Sequence, residues 1–225
     1  MKSIYNVLII DDHPLIAEAY KTALKHVTQK DESIYFEIDT ALTIDEALDK
    51  FNKMAGKNKE LIAFLDIKLP VSKDAKILSG EDLGLKLKEI LPNAKIIVST
   101  TYNDNYRIYN ILKTLNPDGF LIKNDITPKE LVDSIIQVIY DPPAYSKTVI
   151  KLLRKQMYND FILDKIDRQI LYQLSQGAKT KDLPTLLPLS ITGIERRKRL
   201  LKDVFDVTGQ DDLTLIKAAK AKGFI

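Results

Sequence analysis

A short apolar run that ends in one acid decides the fold: Leu61-Ile62-Ala63-Phe64-Leu65-Asp66. The run has no helical period, and Pro70 follows it closely, so it predicts a fully buried β-strand. In an open parallel sheet, ligands bind in the crevice beyond the carboxyl ends of the strands. We therefore expect Asp66 to lie at the mouth of a binding site.

Strand and helix patterns alternate on both sides of this run. The predicted strands are Val7–Ile10, Tyr35–Thr40, Leu61–Asp66, Lys95–Thr100 and Phe120–Lys123. A predicted helix follows each of them, beginning after His13-Pro14, at Ile44, at Gly80, at Tyr106 and after Thr127. Thr43 and Thr127 have the side chains of helix N-caps. Five strands that alternate with five helices predict an α/β fold, a flavodoxin-like doubly wound parallel sheet.

The pattern changes after Asp141-Pro142-Pro143, where no further strand is predicted. We predict a first domain at residues 1–140, a linker at 141–160 and a small all-α domain of four helices at 161–225. In this second domain Asp164 is predicted to cap one helix and Thr180 a short second one. A turn at Leu189–Thr192 then leads to a basic helix, Ile194–Phe205, and a last helix follows at Leu213–Ala221.

Charge is distributed unevenly between the two predicted domains. Residues 151–225 contain 15 basic and 9 acidic residues, whereas residues 1–150 contain 19 basic and 22 acidic residues. A basic C-terminal part indicates either a polyanionic partner or a solvated lysine-rich surface. The sequence shows no apolar run long enough to cross a membrane, no signal-peptide pattern and no cysteine. We therefore expect a cytoplasmic protein with no membrane contact.

Polar residues end the predicted strands at one edge of the sheet. Asp11 and Asp12 end the first strand, Asp66 the third, Thr100 the fourth and Lys123 the fifth. A few carboxylates with several waters suit Mg²⁺, and that ion can bridge to a phosphoryl group. Lysine supplies a point charge for a phosphate oxygen, and threonine supplies a hydroxyl donor. The spacing therefore predicts a site for Mg²⁺ and a phosphoryl group.

These residues, in this order, resemble the receiver domain of bacterial response regulators over about residues 1–140. The matching motifs are Asp11-Asp12-His13-Pro14, Leu65-Asp66-Ile67-Lys68-Leu69-Pro70, Ile97-Val98-Ser99-Thr100 and Phe120-Leu121-Ile122-Lys123. The resemblance implies that Asp66 accepts phosphate from a sensor histidine kinase. It also implies Asp11, Asp12, Asp66 and the backbone carbonyl of Lys68 as the Mg²⁺ ligands. Lys123 would contact the phosphoryl group, and Thr100 and Phe120 would be the pair that reorients on phosphorylation.

Several positions near this site have a second interpretation or depart from the family's pattern. His13 is better explained as a helix-start residue than as a ligand or base, and Phe120 could be plain core. Thr101 stands where alanine or glycine is usual, and Lys68 and Tyr102 occupy positions that tune loss of the phosphoryl group. The loop Val71–Ser79 is longer than usual; it is either a partner contact or a tolerated insertion, and we favour insertion.

The basic helix carries an apolar stripe on one face and arginines on the opposite face. A short helix, a tight turn and a basic helix form the helix-turn-helix arrangement, whose second helix lies in the major groove. The segment Leu163–Ile225 resembles the LuxR/NarL-type DNA-binding domain. Its matching motifs are Asp167-Arg168-Gln169-Ile170-Leu171, Leu174-Ser175-Gln176-Gly177 and Leu189-Ser190-Ile191-Thr192-Gly193-Ile194-Glu195. The resemblance also implies that the last helix is a dimerisation helix, although it could simply close the core.

The resemblance implies DNA contacts at specific side chains. Base contacts would come from Glu195, Arg196 and Arg199, where arginine is the best bidentate reader of guanine. Glu195 could instead pair with Arg199 four residues on, and we favour that pairing. The candidates for phosphate contact are Lys179, Thr180, Lys181, Lys198 and Lys202.

Taken together, these patterns predict a two-component response regulator, not an enzyme, that binds double-stranded DNA as a homodimer. Two competitors remain open. An Mg²⁺-dependent phosphohydrolase with an aspartate nucleophile would need a second aspartate at position 68, where the chain has Lys68. A regulator that binds DNA without phosphorylation would not need the acid cluster.

Overall fold

The computed structural model describes residues 3–55, 60–102, 104–155 and 163–225. These residues divide into two compact units, one within Met1–Asn103 and Leu115–Gln156 and the other within Asp104–Thr114 and Met157–Ile225. The predicted linker at 141–160 therefore lies in the first unit as far as residue 155, and residues 156–160 lie outside the described residues. The segment 104–114, predicted as part of the first domain, lies in the second unit.

The first unit contains a parallel sheet with the strand order β2-β1-β3-β4-β5-β6. The strands are β1 (Ser3–Ile10), β2 (Ile34–Ala41), β3 (Leu61–Asp66), β4 (Lys95–Thr100), β5 (Gly119–Ile122) and β6 (Ala144–Tyr145). The helices of this unit are α1 (Pro14–Lys30), α2 (Ile44–Met54), α3 (Gly80–Ile90), α5 (Pro128–Tyr140) and α6 (Lys147–Lys155), and α4 (Asn105–Leu115) falls almost wholly in the second unit. The first five strands have the doubly wound order that the sequence predicts.

The central strand β3 is buried along its whole length. Parallel strands covered on both faces carry continuous apolar runs, as β3 does. Helices α1 and α5 pack against one face of the sheet and form a core with it, which includes Leu24, Phe64 and Ile135. The N-caps Thr43 and Thr127 each accept a hydrogen bond from the backbone three residues on, as predicted.

A sixth strand that the sequence did not predict extends the sheet beyond β5. β6 pairs with β5 in parallel, and Ser146 N donates to Phe120 O at 2.9 Å. The Ser146 hydroxyl accepts a hydrogen bond from Ile122 N at 3.3 Å. The prediction of five strands was therefore one strand short. Two residues are too few to show a period-two pattern, so only their pairing with β5 identifies them as a strand.

Helix α6 is held to α5 by an ion pair of Lys147 with Glu130, 2.6 Å apart. The hydrogen bond from Lys147, followed by those from the Thr127 backbone and hydroxyl, lowers the pKa of Glu130 to about 2. A carboxyl whose pKa is lowered on folding stabilises the fold above its unfolded value of 4.5, and this contribution is lost as pH falls towards about 2.

We expect Glu130→Gln to reduce the loss of stability on acidification, because the neutral amide does not titrate. Urea unfolding measured between about pH 5 and pH 2 should show a shallower decline for the variant than for the wild type. Lys147→Met should flatten the profile only in part, since the Thr127 bonds remain. Equal slopes for Glu130→Gln and wild type would contradict this prediction.

The second unit is helical and has its own core. Its helices, besides α4, are α7 (Lys165–Ser175), α8 (Leu183–Leu186), α9 (Ile191–Val204) and α10 (Asp212–Ala221), and a 3₁₀ turn (Thr180–Asp182) precedes α8. Asp164 caps α7 as predicted, with Asp167 completing a capping box. Thr180 does not cap the short helix, because its hydroxyl accepts a hydrogen bond from Lys198.

Helix α4 contributes to the same core as the C-terminal residues. Tyr106 packs against the rings of Phe205 and Phe224, with centroids 6.4 and 5.7 Å away. Buried Arg107 donates from Nε to Gly223 O at 3.1 Å and lies over the Phe224 ring. These contacts explain why residues 104–114 group with the helical unit.

Candidate functional site

The acids at the strand ends meet around one lysine. Asp11 and Asp66 are buried, with 2% and 4% of their surface exposed. The Lys123 ammonium lies 2.7 Å from Asp11 Oδ2 and 2.7 Å from Asp66 Oδ2. Because β1, β3 and β5 are parallel, their carboxyl ends fall on the same edge of the sheet, and residues far apart in sequence converge there.

The lysine remains charged in this position. Burial disfavours the ammonium form, but the hydrogen bonds to Asp11 and Asp66 outweigh it and raise the pKa of Lys123. A buried cation that bridges two buried carboxylates neutralises part of their charge. The site therefore holds a net negative charge that a second cation would balance.

The other carboxylate oxygens of this cluster contact backbone amides or the His13 side chain. Asp11 Oδ1 accepts from His13 N, and Asp66 Oδ1 accepts from Lys68 N, both at 3.0 Å. Asp12 Oδ1 is buried, and the nitrogen Nδ1 of His13 lies 2.7 Å from it.

A metal ion fits this donor set. Ligand atoms of Asp11, Asp12, His13 and Asp66 all lie within 4.8 Å of one another. Carboxylate oxygens in such a cluster suit a hard divalent cation. The predicted contribution of the Lys68 carbonyl stays a prediction.

Thr100 and Phe120 are fully buried on neighbouring strands. The Thr100 hydroxyl accepts from Tyr102 N at 3.2 Å, and its carbonyl accepts from Lys123 N at 2.8 Å. The hydroxyl of Thr100 is thus tied to the loop after β4, while its backbone is tied to the lysine. Thr101, beside it, is exposed.

The loop Val71–Ser79 is exposed at Lys73, Asp74 and Lys76, and it contains a hydrogen-bonded turn with two buried residues. Ser72 and Ile77 are buried; Ser72 N donates to Ile77 O at 2.9 Å, Ile77 N donates to Ser72 Oγ at 3.1 Å, and the Ser72 hydroxyl donates to Asp74. The loop ends at Gly80, whose N donates to Ile67 O at 3.1 Å. A Cβ at Gly80 would lie 1.8 Å from Asp66 O, so only glycine fits against the predicted phosphoacceptor.

Sequence reasoning missed a buried polar pair beside the acids. Tyr20 of α1 and Ser99 of β4 are hydrogen-bonded through their hydroxyls, and Ser99 lies opposite Asp66 in the sheet register. Burial raises the pKa of Tyr20 well above its ordinary value. Tyr20 falls in the apolar stripe of α1, so its sequence position indicated only core.

In the second unit, the basic helix is longer than predicted. Helix α9 begins at Ile191, and Ser190, predicted within a turn, is its N-cap and accepts from Gly193 N at 3.2 Å. Glu195, Arg196 and Arg199 are exposed on this helix. Their side chains are therefore accessible to a macromolecular partner.

The other basic residues of α9 bind acids of the same unit. Arg197 contacts Asp164 and Asp167 at 2.9 and 2.7 Å. Lys198 and Lys202 both contact Asp212, at 2.5 and 3.1 Å.

Burial favours protonation of Asp212, but the hydrogen bonds from Lys198 and Lys202 prevail and lower its pKa. Of the predicted phosphate contacts, Lys179 and Lys181 are exposed, whereas Thr180, Lys198 and Lys202 are engaged with Asp212 or with one another.

No helix among the described residues has both the length and the apolarity needed to cross a membrane.

Comparison with known proteins identifies relatives over nearly the whole chain, although no family model matches it. The oxygen regulatory protein NreC of Staphylococcus epidermidis is 20% identical over 224 residues, covering 92% of this chain and 94% of that protein. A nitrate/nitrite response regulator protein homolog of Haemophilus influenzae is 25% identical over 193 residues, covering 84% of this chain and 85% of that protein.

A solved structure has the same fold. RcsB from Salmonella enterica serovar Typhimurium, bound to promoter rprA in the presence of phosphomimetic BeF3-, aligns with a TM-score of 0.66 at 21% identity. The alignment covers 97% of this chain and 99% of that one. The fold is thus a parallel sheet with flanking helices followed by a helical C-terminal domain.

Proposed function

We propose that this chain, a response regulator with a receiver domain and a LuxR/NarL-type helix-turn-helix domain, accepts a phosphoryl group on Asp66 and regulates transcription. The phosphoryl donor would be a sensor histidine kinase, and the target would be double-stranded DNA bound by a homodimer. The observation that carries the proposal is the Lys123 ammonium, 2.7 Å from both Asp11 and Asp66 at the carboxyl edge of the sheet.

The acid cluster would hold Mg²⁺, the ion that the receiver resemblance implies. Asp11, Asp12, Asp66 and the backbone carbonyl of Lys68 would be its protein ligands. When bound, the ion neutralises the carboxylates and the charge on a transferring phosphoryl group. The donor set supports this assignment, because ligand atoms of Asp11, Asp12 and Asp66 lie within 4.8 Å of one another.

The chain's own residues would then carry the transfer. An Asp66 carboxylate oxygen attacks phosphorus, the phosphorus–nitrogen bond of the kinase phosphohistidine breaks, and the imidazole leaves with the bonding pair. The product is an acyl phosphate on Asp66. Lys123 is already hydrogen-bonded to Asp66, so it would contact an oxygen of the new group without a long movement.

Thr100 would change its hydrogen bonding when Asp66 gains the charge of a phosphoryl group. Its hydroxyl now accepts from Tyr102 N, and a phosphoryl oxygen on Asp66 would compete for that hydroxyl as a donor. Reorientation of Thr100 and Phe120 would shift the receiver between two states that differ in their support for DNA binding.

Asp66→Asn is expected to abolish phosphorylation. Incubation of the full chain with a small phosphodonor and Mg²⁺ should give one base-labile acyl phosphate per chain, detected by intact mass. The variant keeps the shape of the side chain but lacks the nucleophilic carboxylate. Asp45→Asn, which changes an acid outside the cluster, is the matched control and should still be labelled. A stable acyl adduct on the Asp66 variant would refute the assignment.

Arg199→Ala is expected to weaken DNA binding by about 1–3 kcal/mol, the value of one bidentate base contact. The exposed position of Arg199 on α9 supports this role. Genomic fragments captured by the phosphorylated chain would supply the duplex, and fluorescence anisotropy would measure affinity. Arg154→Ala, an exposed arginine on α6, is the charge-matched control. If both variants lost the same DNA affinity, the effect would be general electrostatic attraction, and the proposed base contact of Arg199 would be wrong.

A further inference from the structure

The five basic residues of helix α9 fall into two groups according to their partners. Arg196 and Arg199 are exposed. The other three, Arg197, Lys198 and Lys202, contact acids of the same unit at distances from 2.5 to 3.1 Å. The positive charge of this helix is therefore only partly available to a partner from solution.

Asp212, the first residue of α10, holds two of these lysines with its two carboxylate oxygens. Lys198 Nζ lies 2.5 Å from Oδ2, and Lys202 Nζ lies 3.1 Å from Oδ1. Lys198 also donates to the Thr180 hydroxyl at 2.5 Å, and Lys202 donates to the carbonyl of Gln210 at 2.6 Å. Each ammonium group thus has two oxygen partners within its own unit.

The two lysines held by Asp212 are also less accessible than the lysines near the short helix. Only 12% of the Lys198 side chain and 19% of the Lys202 side chain are exposed, whereas Lys179 and Lys181 are fully classed as exposed residues. A DNA phosphate that approached Lys198 would have to displace a carboxylate that already binds the ammonium. The negative charge of Asp212 would also repel that phosphate.

We propose that Asp212 withholds Lys198 and Lys202 from the phosphates of a DNA duplex, so that α9 meets the duplex with its two exposed arginines. The affinity of a protein for DNA of any sequence, and the decrease of that affinity with salt, follow the number of phosphates that its basic side chains neutralise. Asp212 therefore lowers the sequence-independent affinity of this domain. The inference rests on the DNA binding of the proposed function, and it gives the two lysines a role other than the predicted phosphate contact.

Asp212→Asn tests this inference, because it removes the charge of the side chain and keeps its shape. Fluorescence anisotropy of a labelled duplex of scrambled sequence measures the affinity of the full chain in KCl between about 0.05 and 0.2 M. Each newly neutralised phosphate steepens the slope of log affinity against log salt by about 0.9, so we expect a change of about 0.9 for one released lysine and about 1.8 for two. At 0.1 M salt the affinity should rise about eightfold or more, the value of one such contact over a decade of salt.

Asp211→Asn is the matched control, since it changes the net charge equally at the neighbouring residue. Asp211 is the N-cap of α10 and accepts hydrogen bonds from Thr214, and asparagine caps a helix as well as aspartate does. Its salt slope should equal that of the wild type. Lys198→Gln and Lys202→Gln should likewise leave the wild-type slope unchanged, and both together in the Asp212 variant should restore it.

Two outcomes would overturn the role of Asp212. One is an Asp212→Asn slope equal to that of the wild type, and the other is a shallower slope for Lys198→Gln or Lys202→Gln alone, which would mean direct phosphate contact. In either case the proposed function would stand if the wild type preferred genomic fragments captured by the phosphorylated chain over the scrambled duplex. If the wild type bound neither duplex, both the proposed function and this inference would be wrong.

Discussion

Lys123→Met is expected to lower the free energy of unfolding by about 3–5 kcal/mol in the absence of divalent metal, as when one partner of a buried ion pair is removed. The ammonium is the cation that bridges Asp11 and Asp66, and only 9% of the Lys123 side chain is exposed. Methionine fills similar volume but leaves two buried carboxylates without their shared cation. The cost therefore comes from uncompensated charge and not from lost packing.

Urea unfolding in chelator and in excess Mg²⁺ measures this effect. Metal should recover part of the loss, because a cation at the acid cluster replaces some of the missing positive charge and binds only the folded chain. The matched control is Lys30→Met, which breaks the pair with Asp133 in which both side chains are 51% exposed. An exposed pair contributes about 1 kcal/mol or less. Losses of equal size in the two variants would contradict the account of Lys123.

The sheet of the first unit was predictable because its central strand is buried on both faces. A strand such as β3 then carries an apolar run that can be recognised without knowing its neighbours. N-caps such as Thr127 and Asp164 were predictable for a similar reason, since the capping hydrogen bond joins residues three apart. At these positions the determining contact is local, and sequence reasoning was sufficient.

Elements fixed by distant contacts were not predictable. β6 is a strand only because Ala144 and Tyr145 pair with Gly119 and Phe120 of β5. One local feature was also missed: the start of α9 was placed too late because Gly193 weakens the helical pattern and the Ser190 cap, which compensates for it, was not predicted. In the candidate site, the positions of the acids at the ends of the predicted strands indicated that they lie at one edge of the sheet. The approach of His13 to Asp12 depends on side-chain directions that no spacing reveals.

Gly80→Ala is expected to destabilise the first unit by about 3 kcal/mol, the upper part of the range for overpacking, and to reduce the proposed phosphorylation of Asp66 with it. The added Cβ would lie 1.8 Å from Asp66 O and 2.8 Å from Ile67 Cα. Both neighbours are backbone, so relief requires the end of β3 or the start of α3 to move. Either movement displaces Asp66 from the position where it accepts hydrogen bonds from Lys123 and from Lys68 N.

Gly84→Ala, one turn later in the same helix, is the matched control. Its Cβ would meet side-chain methyls, Leu65 Cδ2 at 2.8 Å and Leu115 Cδ1 at 2.9 Å, and these can rotate away. We expect a cost of about 1–2 kcal/mol with phosphorylation per folded chain unchanged, because the end of β3 does not move. Urea unfolding and phosphodonor labelling of both variants, at a temperature where each is folded, measure the two effects. If Gly80→Ala were labelled as fast as Gly84→Ala, the close packing of α3 against Asp66 would have no role in holding the carboxylate for phosphorylation.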